Sequence, residues 1–77
     1  MPGEKLVITN TIRAMRFACG EMTQQQLADR VSVSRQTINA IEAAKYTPSL
    51  EVAFGIARAL GKPLEEVFCC EVRRTRK

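Results

Sequence analysis

Met22-Thr23-Gln24-Gln25-Gln26-Leu27-Ala28-Asp29-Arg30-Val31-Ser32-Val33-Ser34-Arg35-Gln36-Thr37-Ile38-Asn39-Ala40-Ile41-Glu42 carries its own punctuation. The Thr23 hydroxyl can accept from the backbone N–H of Gln26 while the Gln26 side chain reaches back to Thr23, and Met22 can pack on Leu27 one turn later. This capping box with its hydrophobic staple predicts a helix that runs to Arg30 or Val31 with Leu27, Ala28 and Val31 inward. Ser32-Val33 breaks the pattern. Ser34 then caps a second helix over residues 35–42, whose buried side carries Ile38 and Ile41. Two short helices with three residues between them form a helix-turn-helix.

Working outward, Lys5-Leu6-Val7-Ile8-Thr9 is brief and rich in β-branched residues, which predicts an extended arm or edge strand. Thr9 or Asn10 can cap a helix over residues 11–19, where Ile12, Met15 and Cys19 recur at spacings of three and four, and Gly20 ends it. On the other side, Ala43-Ala44-Lys45-Tyr46-Thr47-Pro48 reads as a loop, because Pro48 pushes Thr47 out of the α region. Ser49 caps a helix over residues 50–60. Its polar stripe, Glu51, Gly55, Arg58 and Lys62, leaves Leu50, Val52, Ala53, Phe54, Ile56, Ala57, Ala59 and Leu60 to be covered. So wide an apolar girdle predicts a helix surrounded by its own domain and by a second subunit. Gly61 stops it, and Pro63 opens a short fifth helix with Leu64, Val67 and Phe68 inward. Phe68 to Val72 can pair as a strand with residues 5–9. The expected organisation is an arm or strand over 1–9, a single domain over 10–68 and a basic tail over 69–77.

Seventy-seven residues fit one domain at most, with about 60% of the unfolded surface buried and little room for a deep cleft. The chain has no His, which removes a hydrolytic triad, an imidazole zinc site and the easiest acid/base group at neutral pH. No Gly-rich phosphate cradle follows a strand. The expectation is therefore no enzyme, no catalytic residue, no metal, no cofactor and no evident small-molecule ligand. Cys19, Cys69 and Cys70 cannot all pair within one chain, and adjacent Cys69 and Cys70 are poorly placed to bridge each other, so free thiols in a reducing cytoplasm are expected. No apolar run approaches the length of a membrane span and no signal peptide is apparent.

Twelve Lys and Arg against eight Asp and Glu leave a net charge of +4, which draws an anionic partner, most commonly nucleic acid. A helix about 10 Å wide fits the roughly 12 Å major groove of double-stranded DNA with its N-terminal residues at the base edges. Here those residues are Ser34, Arg35, Gln36, Thr37 and Asn39. Arg35 can fork onto guanine, and Gln36 or Asn39 onto adenine. Gln24 opens the preceding helix, where the positive helix end suits a phosphate, and Lys45 and Tyr46 follow in the loop.

Taken in order, Ile12-Arg13-Ala14-Met15-Arg16, Met22 to Ala28, Val33 to Ile38, Ile41-Glu42, Lys45 to Leu50 and Leu64 to Phe68 resemble the Cro/C1-type (XRE) helix-turn-helix family of phage repressors and small bacterial or archaeal regulators, most closely its minimal single-domain members. The resemblance implies an all-α, five-helix lambda repressor-like DNA-binding domain. It implies that Gln24, Ser34, Lys45 and Tyr46 contact phosphate, that Arg35 and Gln36 lead the reading of bases, and that Thr37, Asn39 and Ala40 fill the remaining groove-facing positions. Arg16 and Glu42 match a pair that ties the first helix to the end of the recognition helix. The chain departs from the family pattern in several places. Ser32 replaces the usual turn Gly, Ala43-Ala44 replaces a Gly-containing pair, and Glu21 is an insertion. Left-handed backbone at Ser32 or in the Ala43-Ala44 pair would cost about 1 kcal/mol or more. Gly55, in a position commonly charged in the family, is expected to mark close approach of a partner.

A single module of this size buries about 600 to 1,000 Å² on DNA, whereas two copies about 34 Å apart read a palindrome on one face. The function expected is that of a homodimeric, sequence-specific transcriptional repressor. The dimer contact is expected at Leu6, Val7, Ile8, Val52, Ile56, Ala59, Leu64, Val67, Phe68 and Val72, with the short terminal β segments pairing there. The alternative is a protein-interaction adaptor or antitoxin-like module that keeps the fold.

Overall fold

Five helices, α1 (Ile12–Ala18), α2 (Gln24–Val31), α3 (Arg35–Glu42), α4 (Leu50–Leu60) and α5 (Leu64–Val67), are bracketed by two strands, β1 (Glu4–Asn10) and β2 (Phe68–Arg74). The computed structural model describes residues 4–74; the first three residues of the expected arm and the last three of the expected tail lie outside the described residues. The architecture is an all-α helix-turn-helix core of lambda repressor-like type, joined to a two-stranded ribbon made from both ends of the chain.

Local chemistry starts three of the helices. At α2 the Thr23 hydroxyl accepts from the N–H of Gln26 at 3.0 Å, and the Gln26 side-chain oxygen accepts from the N–H of Thr23 at 2.9 Å. Ser34 and Ser49 accept from the N–H groups of Thr37 and Val52, which opens α3 and α4. The start of α1 differs from the sequence reading. Thr11 is the residue at the cap and its hydroxyl donates instead to the carbonyl of Glu66 at 2.7 Å, while Thr9 lies in β1 opposite Cys69. Asn10 Oδ1 does accept from the N–H of Ile12, but Asn10 sits one residue before the cap. Its amide nitrogen donates to the carbonyl of Ile41 at 2.9 Å, so the same side chain serves the end of α3.

Ile12, Met22, Leu27, Ala28, Ile38, Ile41, Ile56, Ala57, Leu60 and Val67 form one buried cluster to which all five helices and the turn before α2 contribute. Each large aliphatic side chain there contributes about 1.5 to 3 kcal/mol by leaving water. This cluster corrects two expectations. Ile56 and Val67, expected at a contact between copies, are wholly enclosed by the chain's own core. Val52, Ala59, Leu64 and Phe68 are half-buried against that core. Gly55 does mark a close approach, but the neighbour is α2 of the same chain: a β-carbon at Gly55 would stand 3.2 Å from Cγ1 of Val31. The large apolar α4 side chains left in solvent are instead Leu50 and Phe54, one turn apart.

Ser32 and Ala44, the positions where the family pattern favours glycine, adopt left-handed backbone with φ of +64° and +60°, and Glu21 does so as well at +60°. The turns therefore keep a conformation that L side chains resist. The ribbon pairs antiparallel within the chain, Leu6 opposite Val72 and Ile8 opposite Cys70. Opposed residues share a face, so Leu6, Ile8, Cys70 and Val72 line one side, and all four are exposed. The junction of ribbon and core is sealed where the N–H of Thr11 donates to the carbonyl of Val67 at 2.9 Å.

Candidate nucleic-acid interface

The outward side of α3 presents Arg35, Gln36 and Asn39 to solvent, with Thr37 and Ala40 half-buried beside them. This follows from the period of the helix: Ile38 and Ile41 take the core side, so the positions between them turn outward. The Ser34 hydroxyl, besides capping the helix, lies 2.9 Å from that of Thr37, so both are held at the first turn. Lys45 and Tyr46 are exposed in the loop beyond α3, with the ring of Tyr46 standing half out of the protein.

The far end of α3 is pinned by charge. Arg16 donates from Nε to Glu42 Oε2 at 2.6 Å and from Nη2 to Glu42 Oε1 at 3.1 Å, while its Nη1 donates to the carbonyl of Met22 at 2.7 Å. One guanidinium thereby fastens the end of α3 and the segment that enters α2. The pair also cancels the single acid of α3, so the helix's outward face carries no uncompensated negative charge.

Gln24 joins this pair to the outer face. Its amide nitrogen donates to Glu42 Oε1 at 3.2 Å and its amide oxygen accepts from Asn39 Nδ2 at 3.4 Å. Arg16, Glu42, Gln24 and Asn39 thus form a chain of polar contacts from inside the domain to its surface. The sequence reading placed all four residues in the site but treated Gln24 and Asn39 as independent. Fifteen positions separate them, and no local spacing relates them.

Beside this chain an open cleft of about 750 Å³ lies between α1 and α3. Asn10 and Thr11 line it before α1, Arg13, Ala14 and Phe17 from α1, Gln24 from α2, and Asn39, Glu42 and Ala43 from α3 and its end. Phe17 is half exposed, and the guanidinium carbons of Arg13 and Arg16 lie 5.6 and 5.4 Å from its ring centroid. Neither Arg13 nor Phe17 was singled out from sequence. The signal available was the i, i+3 and i+4 spacing of Arg13, Arg16 and Phe17 on one side of a helix, which also describes an ordinary solvated face.

A family model described as helix-turn-helix matches residues 20–67, which takes in α2 to α5. An uncharacterized HTH-type transcriptional regulator of Methanothermobacter thermautotrophicus is 54% identical over 58 residues, covering 74% of this chain and 83% of its own. Another, from Methanocaldococcus jannaschii, is 50% identical over 54 residues, covering 70% of this chain and 82% of that relative. The uncharacterized HTH-type transcriptional regulator YgzD of Bacillus subtilis is 39% identical over 62 residues, 80% of this chain and 92% of its own.

Proposed function

The chain belongs to the helix-turn-helix family, and on that premise we propose that it is a transcriptional regulator of the Cro/C1 kind, a cytoplasmic homodimeric repressor that reads a palindromic operator in double-stranded DNA. The observation that carries this reading is the outward face of α3: Arg35, Gln36 and Asn39 stand exposed on a helix capped at its start and held at its end by a buried ion pair. A rigid helix that offers forked donors and amides at its first turns matches what base edges in the major groove present. Arg35 and Gln36 lead the reading, with Thr37, Asn39 and the methyl group of Ala40 completing the contact surface. Gln24, Ser34, Lys45 and Tyr46 hold phosphates and so fix the register. The printed names of the relatives support the regulatory part of the reading.

The dimer contact we assign to the apolar side of the ribbon, where Leu6, Ile8 and Val72 are 64%, 36% and 56% exposed. A two-stranded sheet is marginal by itself in water, and both of its strands are edges. A second copy laid on Leu6, Ile8 and Val72 covers the apolar side, and two-fold symmetry turns both α3 helices to one face of the duplex.

Selection of bound duplexes from a random pool, with affinity followed against salt, tests the reading. The expected product is an inverted repeat with half-sites one helical turn apart or a multiple of it. Binding no tighter to any enriched duplex than to bulk DNA would overturn the reading and favour an adaptor that retains the fold.

A further inference from the structure

The α1 side of the cleft, with Arg13 and Phe17, is not accounted for by base reading or by the phosphate contacts assigned above. Three observations bear on what it holds. First, Arg13 is its one uncompensated charge, because among the described residues the ion pairs are Arg16 with Glu42 and Glu71 with Arg73. Second, Arg13 lies over the face of an aromatic ring, 5.6 Å from the centroid of Phe17, and among the described residues its side chain makes no hydrogen bond. A ring face attracts a guanidinium without using its N–H groups, so all five donors stay available for another acceptor. Third, the cleft shares its wall with Gln24 and Asn39, so any duplex seated on α3 brings its strand past the opening.

From these we propose that the cleft is a phosphate-binding site, in which Arg13, held on the exposed ring of Phe17, forks onto one backbone phosphate of the DNA strand that borders the groove occupied by α3. The planar guanidinium matches two phosphate oxygens, which a solvated lysine does with less geometric definition. Arg16, 5.4 Å from the same ring, neutralises the Glu42 carboxylate on the cleft wall, so that Arg13 sets the sign of the charge there. Phe17 is thus a positioning residue, and its half-exposed ring serves as the platform for a cation. This inference rests on the DNA-binding reading of α3 and extends the footprint from α2 and α3 to α1.

The test is fluorescence anisotropy of the full chain on a 25-base-pair duplex of mixed sequence and on the duplex that selection enriches, each from 50 to 200 mM salt. One lost phosphate contact removes about 0.9 from the slope of log affinity against log salt, so the advantage of the wild type over Arg13→Gln should shrink by about 3.5-fold across that range. Preference between the two duplexes should be unchanged. Arg13→Lys should restore the slope. Phe17→Leu should keep the slope, since the charge remains, while weakening both duplexes alike; thermal melts check that each variant is folded. A steep wild-type slope that Arg13→Gln leaves unaltered, while Lys45→Gln flattens it, would overturn the cleft assignment and leave the α3 reading standing. A wild type that binds neither duplex would remove both.

Discussion

Arg16 and Glu42 meet in a two-point contact, at 2.6 and 3.1 Å, with their side chains only 8% and 10% exposed. Charges so far out of water are costly when unpaired, so Arg16→Ala or Glu42→Ala should each destabilise the domain by about 3 to 5 kcal/mol. That is a large share of the 5 to 15 kcal/mol typical of a folded protein. A double-mutant cycle from urea melts should return a coupling well above the 0 to 1 kcal/mol of a surface pair; a coupling near zero would contradict the arrangement.

Arg35 and Lys45 should separate in their effects on DNA. Arg35→Ala is expected to lower affinity for the selected duplex by about 1 to 3 kcal/mol and to relax preference at one base position. Lys45→Ala should weaken all duplexes about equally and reduce the salt slope by about 1. Binding titrations on the selected and mixed duplexes measure both, and equal sequence-blind losses would remove Arg35 from the base edge.

Gly55 sits where α4 crosses α2, and a β-carbon there would meet Val31 Cγ1 at 3.2 Å. Replacing Gly by Ala inside a helix gains about 0.5 to 1 kcal/mol, which the crowding of a stiff β-branched neighbour offsets. Gly55→Ala is therefore expected to be near neutral, Gly55→Leu to cost about 1 to 3 kcal/mol, and Gly55→Ala to turn stabilising in a Val31→Ala background. Chemical denaturation of the four variants decides it. Equal effects of Gly55→Ala in both backgrounds would show that the contact does not limit packing.

Ser32 and Ala44 hold left-handed backbone without being glycine. Relief of about 1 to 2 kcal/mol of strain, less the added entropy of a glycine in the unfolded chain, predicts that Ser32→Gly and Ala44→Gly each stabilise by about 0.5 to 1 kcal/mol. A rise in thermal midpoint for both is the expected result. A fall would mean that the Ser32 side chain or the Ala44 methyl makes a compensating contact.

Val72 is exposed opposite Leu6 on the ribbon, so a charge there should leave the monomer folded. Val72→Asp is expected to shift sedimentation at micromolar concentration from twice the chain mass to the chain mass, with the helical circular dichroism unchanged. A wild type that already sediments at the chain mass would remove the dimer contact.

The positions of α2, α3 and α4 were legible because their starts are written in contacts of three residues' range. Thr23 with Gln26, Ser34 with Thr37 and Ser49 with Val52 need only the geometry of a first turn, which any chain carrying those residues can form. The outward set on α3 was legible for a related reason: a period of 3.6 leaves only one side for Arg35, Gln36 and Asn39 once Ile38 and Ile41 face inward. The start of α1 was less so. Asn10 spends its amide on Ile41, thirty-one residues away, and Thr11 its hydroxyl on Glu66, fifty-five away, and neither partner can be inferred from neighbouring residues.

Local chemistry along the chain was thus enough for the series of helices, the caps that open α2, α3 and α4, and the identity of the face that α3 offers. Tertiary structure decided which parts of an almost uniformly apolar α4 are enclosed, since Ile56 and Phe54 look alike in sequence and differ only in which neighbours the packed helices bring to them. It also decided that Gly55 answers to Val31, that Gln24 carries the buried ion pair out to Asn39, and that Arg13 and Phe17 open onto the same cleft as both. The physical reason is one of range. Caps and periodicity are set by hydrogen bonds and side-chain directions within a turn or two, whereas these contacts exist only after the hydrophobic core has fixed how whole helices cross.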